Sequence, residues 1–164
     1  MCIRDRHIGE QAKLWANDPY FDEQDRKEIQ SLLDNQNEKE LTDRFYKNLA
    51  FGTGGLRELM GLGTNRINKY TIRKATQALA NCILESFPQV EKPFICVAYD
   101  CRNNSKEFAE EVCQVMAANN IKSYIFDSLK PVPFLSYSVT HLGAQAGVMA
   151  VSYTHLTLPT ILLV

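Results

Sequence analysis

Apolar residues recur at helical spacing through the first half of the chain and give way to continuous apolar runs in the second. From about Gly9 to Asn48 the pattern predicts three helices. Leu14 and Trp15 anchor the first, and Asp18-Pro19 and Asp22 interrupt it. Ile29, Leu32 and Leu33 mark a second over residues 25–33, and Leu41, Phe45 and Leu49 continue the spacing in a third. The outer faces of these segments are charged, which fits a packed amphipathic arm without chemistry of its own. Thr71 to Phe87 reads as a fourth helix, with Ile72, Ala75, Leu79, Ile83 and Phe87 on one stripe and Pro88 after its end. That stripe reads as core.

Beyond Pro93 the rhythm changes. Phe94 to Tyr99 is an uninterrupted apolar run of strand length, the pattern of a strand covered on both faces. Asn104 and Glu107 predict an N-cap and capping box for a helix carrying Phe108, Val112, Val115 and Met116, ending near Asn119-Asn120. Tyr124-Ile125-Phe126 is a second strand. Pro131 and Pro133 open a helix over residues 132–142, and Gly147 to Val151 is a third strand. This alternation predicts an α/β fold, a three-layer α/β/α unit with a mixed or mostly parallel sheet, behind an amino-terminal helical arm. In such folds ligands gather beyond the carboxyl ends of the strands. Asp100 and Arg102 lie at one such end, where a turn-stabilising ion pair is the plainer reading of Asp100.

Composition narrows the function classes. The chain has 164 residues, enough for one domain with a core, and its net charge of −1 gives no broad electrostatic case for nucleic acid or an acidic membrane. No run of eighteen apolar residues predicts a membrane span, and the amino end lacks the apolar centre of a signal peptide. The five cysteines include no C-x-x-C pair, and Cys82, Cys96 and Cys113 sit in apolar patterns as small core residues. A reducing, cytoplasmic setting follows. His7, His141 and His155 are too scattered to predict a metal site.

The candidate chemistry is concentrated in Phe51-Gly52-Thr53-Gly54-Gly55-Leu56-Arg57. Glycine brings backbone N–H groups close to a ligand, and arginine adds a planar fork that fits a phosphate or carboxylate. Two readings fit these residues: an oxyanion site, or a tight turn whose arginine lies in solvent. The loop is not a Walker A motif, because no Lys-Ser or Lys-Thr follows the glycines. It is not a dinucleotide fingerprint, because Arg57 stands where the third glycine belongs. A second cluster, Gly61-Leu62-Gly63-Thr64-Asn65-Arg66, follows closely, and two such turns favour a ligand-facing region.

With these elements in place, the chain resembles the first domain of the α-D-phosphohexomutases, the phosphoglucomutase and phosphomannomutase enzymes. FGTGGLRELMGLGTNRINKYT resembles the family's G-T-x-G-x-R loop and its sequel. VAYDCRNNSKEFA resembles its D-x-R strand end, and KPVPFLSYSVTHLGAQAGVM the run into its catalytic strand. The long arm and GLGTNRIN look closest to the phosphoglucomutase-2-like and phosphopentomutase branch. The resemblance implies an intramolecular phosphotransferase that exchanges a phosphoryl group between a phosphoserine and a hexose or pentose phosphate through a sugar bisphosphate. Catalysis then rests on positioning and positive charge. It implies that Arg57 contacts phosphate, with Thr53, Gly54 and Gly55 shaping the turn. It also implies a glucose 1,6-bisphosphate-type activator, a phosphosugar partner, and Mg²⁺ held by an aspartate-rich loop in a second domain that this chain does not contain.

The two ends depart from that resemblance. MCIRDR does not join the helical pattern behind it, and VSYTHLTLPTILLV carries no charge. Both resemble peptides produced when adapter sequence is translated, so residues 1–8 and 151–164 are expected to be a non-native leader and tail. The arm is then residues 9–50 and an incomplete first domain residues 51–150, with the remaining domains as its partners. Where the family places T-A-S-H-N-P with its nucleophile, this chain reads Ala150-Val151-Ser152-Tyr153-Thr154-His155. Ser152 is out of register with the nucleophile, so no catalytic residue is assigned and the chain as written is expected to be inactive. A non-catalytic phosphosugar- or nucleotide-binding module is the alternative.

Overall fold

The computed structural model describes residues 3–52, 55–150 and 160–163, with side chains for 7–52 and 55–150. Three helices come first, α1 (Ile3–Asn17), α2 (Glu23–Asp34) and α3 (Glu38–Phe45). They enclose a core of their own, in which Trp15 stacks on Phe21 at 4.3 Å and meets Phe45 and Tyr70 edge-on. Ile8, Ala12 and Trp15 form the buried stripe of α1, whereas Leu14, expected in the core, is half exposed. A helix buries one stripe, and adjacent residues cannot both lie at its centre. The helix also takes in Ile3 to Arg6, contrary to expectation, because no breaker separates them from Ile8. The third helix stops at Phe45, so Leu49 leaves it. The Leu49 N–H donates to the Thr64 carbonyl at 2.8 Å, and its side chain packs on the other core.

The α/β unit follows as α4 (Lys69–Ser86), β1 (Phe94–Tyr99), α5 (Ser105–Ala118), β2 (Lys122–Ile125), α6 (Val132–Leu142) and β3 (Ala146–Ala150). A short strand β4 (Thr160–Leu163) pairs antiparallel with β3, giving a mixed sheet of order β2-β1-β3-β4. Strands β1, β2 and β3 are parallel, with Ile95 opposite Ser123 on one side and Ala146 on the other. Chain winding reverses between β2 and β3. Right-handed crossovers therefore put α5 and α6 on opposite faces. That explains the unbroken apolar run in β1. Ile95, Val97 and Tyr99 face α4 and α5, while Cys96 and Ala98 face Leu135 and Val139 of α6. Each large buried aliphatic contributes about 1.5–3 kcal/mol of transfer free energy. Cys96 is core as expected, whereas Cys82 is exposed on the outer side of α4.

Two features fix where a site can form. The strand order reverses between β1 and β3, so the crevice of this sheet lies beyond their carboxyl ends. Residues 87–93, turned by a 3.0 Å bond from Val90 N–H to Phe87 C=O, are too short to run the length of α4. The helix therefore packs antiparallel to β1 and brings its amino end to that same side.

Candidate functional site

The glycine loop is a tight turn. Gly52 and Gly55 exchange both backbone hydrogen bonds at 3.1 Å, and Gly55 has φ 96°, a conformation glycine adopts without a side-chain penalty. Thr53 and Gly54 lie outside the described residues. Leu56 is buried in the main core beneath the turn, which leaves the next residue, Arg57, exposed. Among the described residues Arg57 has no hydrogen-bond or ion-pair partner. Its neighbour Glu58 is taken by Lys47 at 3.2 Å, so the nearest carboxylate in sequence does not neutralise it. Among the described residues the loop thus presents one unpaired guanidinium, next to the buried Leu56.

The second glycine cluster has another purpose, and the expectation that it faces ligand is corrected. Arg66 is buried, and its guanidinium pairs with Asp43 of the helical arm. Asn65 joins the same seam, its backbone N–H donating to the Arg44 carbonyl at 2.9 Å and its side chain to the Asp43 carbonyl at 3.0 Å. Gly63, at φ 125°, lies so close to Arg44 that no side chain fits. These residues bind the arm to the α/β unit.

Asn68 holds this turn to the start of α4. Its amide nitrogen donates to the carbonyls of Gly61, Gly63 and Arg66 at 2.8, 3.0 and 3.3 Å. Its amide oxygen caps Thr71 N–H at 2.9 Å, and Thr71 Oγ1 accepts from Asn68 N–H in return. This capping box was not read from the sequence, although Asn68 and Thr71 stand at its spacing. Beside it, Lys69 pairs with Asp22, and lies 3.4 Å from Asp25, while the Tyr70 hydroxyl donates to Asp25 at 2.6 Å. Partial burial opposes the Lys69 charge, but its bonds to Asp22 and Tyr70 prevail and hold its pKa above the usual lysine value.

At the strand-tip crevice, Asp100 organises the turn after β1. One carboxylate oxygen accepts from Arg102 N–H at 3.1 Å and from the Ser105 hydroxyl at 2.7 Å, and the other pairs with Arg102 Nε at 3.2 Å. The expected capping box at Asn104 does not form. Asn104 adopts φ 62° and makes no side-chain cap bond, because the Asp100 turn enters the helix from another direction. A cavity of about 420 Å³ opens here between Tyr99, Arg102, Asn103, Lys106, Glu107 and Leu129. Arg57 does not line it. The loop arginine and the Asp100–Arg102 ion pair therefore do not share this cavity.

Among the described residues no three His, Cys, Asp or Glu side chains converge in a way that could hold a metal ion. No helix among them is long and apolar enough to cross a membrane. Ser152, Tyr153 and His155 lie outside the described residues.

The elements together define a three-layer α/β/α domain with an exposed arginine after its glycine turn. Comparison with known proteins makes the assignment specific. The pattern of phosphoglucomutase/phosphomannomutase alpha/beta/alpha domain I matches residues 48–153, and the chain belongs to that family. It is similar to the phosphoglucomutase of Staphylococcus epidermidis strain ATCC 35984, with 34% identity over 130 residues, covering 79% of this chain and 23% of the relative. The phosphoglucomutase of Staphylococcus haemolyticus strain JCSC1435 is 36% identical over 121 residues, covering 74% and 22%. The chain thus spans about a quarter of the length of these relatives. Among solved structures, one described as a putative phosphomannomutase from Thermus thermophilus shares the fold at a TM-score of 0.60 and 23% identity, over 70% of this chain and 25% of that one.

Proposed function

We propose that this chain is the phosphate-gripping first domain of a phosphosugar mutase, an intramolecular phosphotransferase acting on hexose or pentose phosphates through a phosphoserine. One observation carries the reading: Arg57 is exposed, has no partner among the described residues, and follows directly on a glycine turn. A guanidinium without a protein partner keeps its fork of donors available for a bidentate oxyanion, so no existing ion pair has to break when phosphate arrives. Thr53, Gly54 and Gly55 are assigned to the same phosphate-binding turn, in which the Gly55 N–H is itself held by the Gly52 carbonyl at 3.1 Å.

The activity, substrates and partners of the longer relatives are part of this proposal. Mg²⁺ in such an enzyme neutralises a phosphoserine, and a glucose 1,6-bisphosphate-type activator supplies the phosphoryl group. With Ser152 out of register with the family's nucleophile, residues 1–164 bind phosphosugar in a reducing, cytoplasmic setting without turning it over.

Calorimetric titration with glucose 1,6-bisphosphate tests this. Loss of one charge-assisted bidentate contact weakens binding by about 10- to 100-fold, so Arg57→Ala is expected to do so while leaving the melting temperature unchanged. Equal affinity in the two proteins would refute the reading.

A further inference from the structure

Between the helical arm and α4 lies a groove of about 640 Å³, a volume suited to a small organic ligand, that belongs neither to the glycine loop's outer face nor to the strand tip. Its walls are mostly apolar, with Gln11, Asn48, Thr64, Thr71 and Gln77 as uncharged polar groups among them. Trp15 and Phe21 form the buried floor, Tyr20 and Phe51 are exposed at the rim, and Ala75 and Ala78 leave a flat strip along α4. No acidic side chain lines it. Its two cations differ in state. Arg73 is neutralised by a bidentate pair with Glu111, at 2.6 and 2.9 Å. Lys74 is exposed and makes no ion pair among the described residues. The groove therefore combines a mostly apolar slot with one positive charge uncompensated among the described residues.

We infer that this groove is a binding site for a flat, apolar ligand carrying a single anionic group, its ring lying on Ala75 and Ala78 among the aromatic side chains and its anion on Lys74. A sugar bisphosphate is a poor match. It would set two dianionic groups and a hydroxyl-covered ring against mostly apolar walls, leaving those polar groups desolvated and unpaired. An aromatic monocarboxylate satisfies both parts of the site. Burial rewards its ring, and one charge-assisted bond satisfies its carboxylate. Phe51 and Leu56, which flank the Gly52–Gly55 turn, both line the groove, so an occupant touches both stems of the loop that carries Arg57.

Trp15 is the sole tryptophan and lies in the floor, which supplies a local reporter. We take 4-iodobenzoate as the probe, since iodine quenches indole emission on contact. Saturable quenching of the full chain is expected. Lys74→Gln, a surface change, should weaken it about tenfold, the scale of one charge-assisted bond, and the neutral 4-iodobenzamide should bind as weakly to the unaltered chain. Ala78→Phe, which fills the slot from an exposed position, should abolish saturation with the circular dichroism unchanged. Quenching that rises linearly with probe, or saturable quenching that persists unchanged in both variants, would overturn the inference. This readout does not involve phosphosugar, so its failure is separable from failure of the loop assignment.

Discussion

Asn68→Ala is expected to lower the unfolding free energy by about 2–4 kcal/mol, read as a fall in the urea midpoint. The side chain is buried and serves two parts of the chain at once. Its amide nitrogen is shared among three carbonyls of the second glycine turn, and its oxygen caps the first turn of α4. Alanine removes the cap, which alone is worth about 1 kcal/mol. It also removes the donor to the partly buried Gly61 carbonyl, at about 1–3 kcal/mol, whereas the Gly63 and Arg66 carbonyls keep bonds from Arg66 N–H and the Thr71 hydroxyl. Asn68→Asp separates the two contributions. Aspartate keeps the acceptor for Thr71 N–H but has no donor for the carbonyls, so it should lose more than half of the alanine effect. A fall below about 1 kcal/mol for alanine, no more than the cap alone, would show that the turn re-forms without this residue.

Gly63→Ala should be similarly damaging, at about 3 kcal/mol or more, for a different reason. A methyl group there would stand 2.5 Å from the Arg44 carbonyl oxygen and 2.8 Å from Arg44 Cβ, on a backbone at φ 125°. Neither obstacle is the free end of a side chain, so the arm and the α/β unit must separate to admit it. Gly143→Ala is the control. Gly143 also has positive φ, 70°, but nothing lies within 4 Å of the added carbon. It should cost only the left-handed strain, about 1–2 kcal/mol. Thermal melts of the two variants should therefore differ clearly, and equal melting temperatures would show that the seam at Arg44 is loose.

The contrast between the two arginine turns shows what the sequence could and could not convey. Arg57 and Arg66 each follow a glycine cluster and invite the same reading. Their fates differ because Asp43, twenty-three positions upstream of Arg66, is brought to it by the helical arm. Such a partner is set by tertiary packing and has no local signature. The strands were legible, since an apolar run of six in β1 can be satisfied only by cover on both faces, and both covers are present. The arm's helices were legible in existence but less so in face. Leu14 and Trp15 are adjacent, and only the aromatic partners Phe21, Phe45 and Tyr70 decide which of them is buried. At Asn104 the helix start was read correctly but its cap was not, because Asp100, four residues earlier, already controls the turn. Local spacing reports where an element begins; which side chain satisfies its exposed backbone depends on the direction from which the chain arrives.

The central claim is that the stem from Gly52 to Arg57 grips the phosphoryl group of a sugar. Titration of glucose 6-phosphate into the ¹⁵N-labelled chain, with glucose as the comparison, addresses it at single-residue resolution. The account predicts saturable shifts of the Gly52, Gly55, Leu56 and Arg57 amides and of the Arg57 Nε–H with the phosphorylated sugar, and none with glucose. Shifts confined to other segments, with these resonances unmoved, would contradict it.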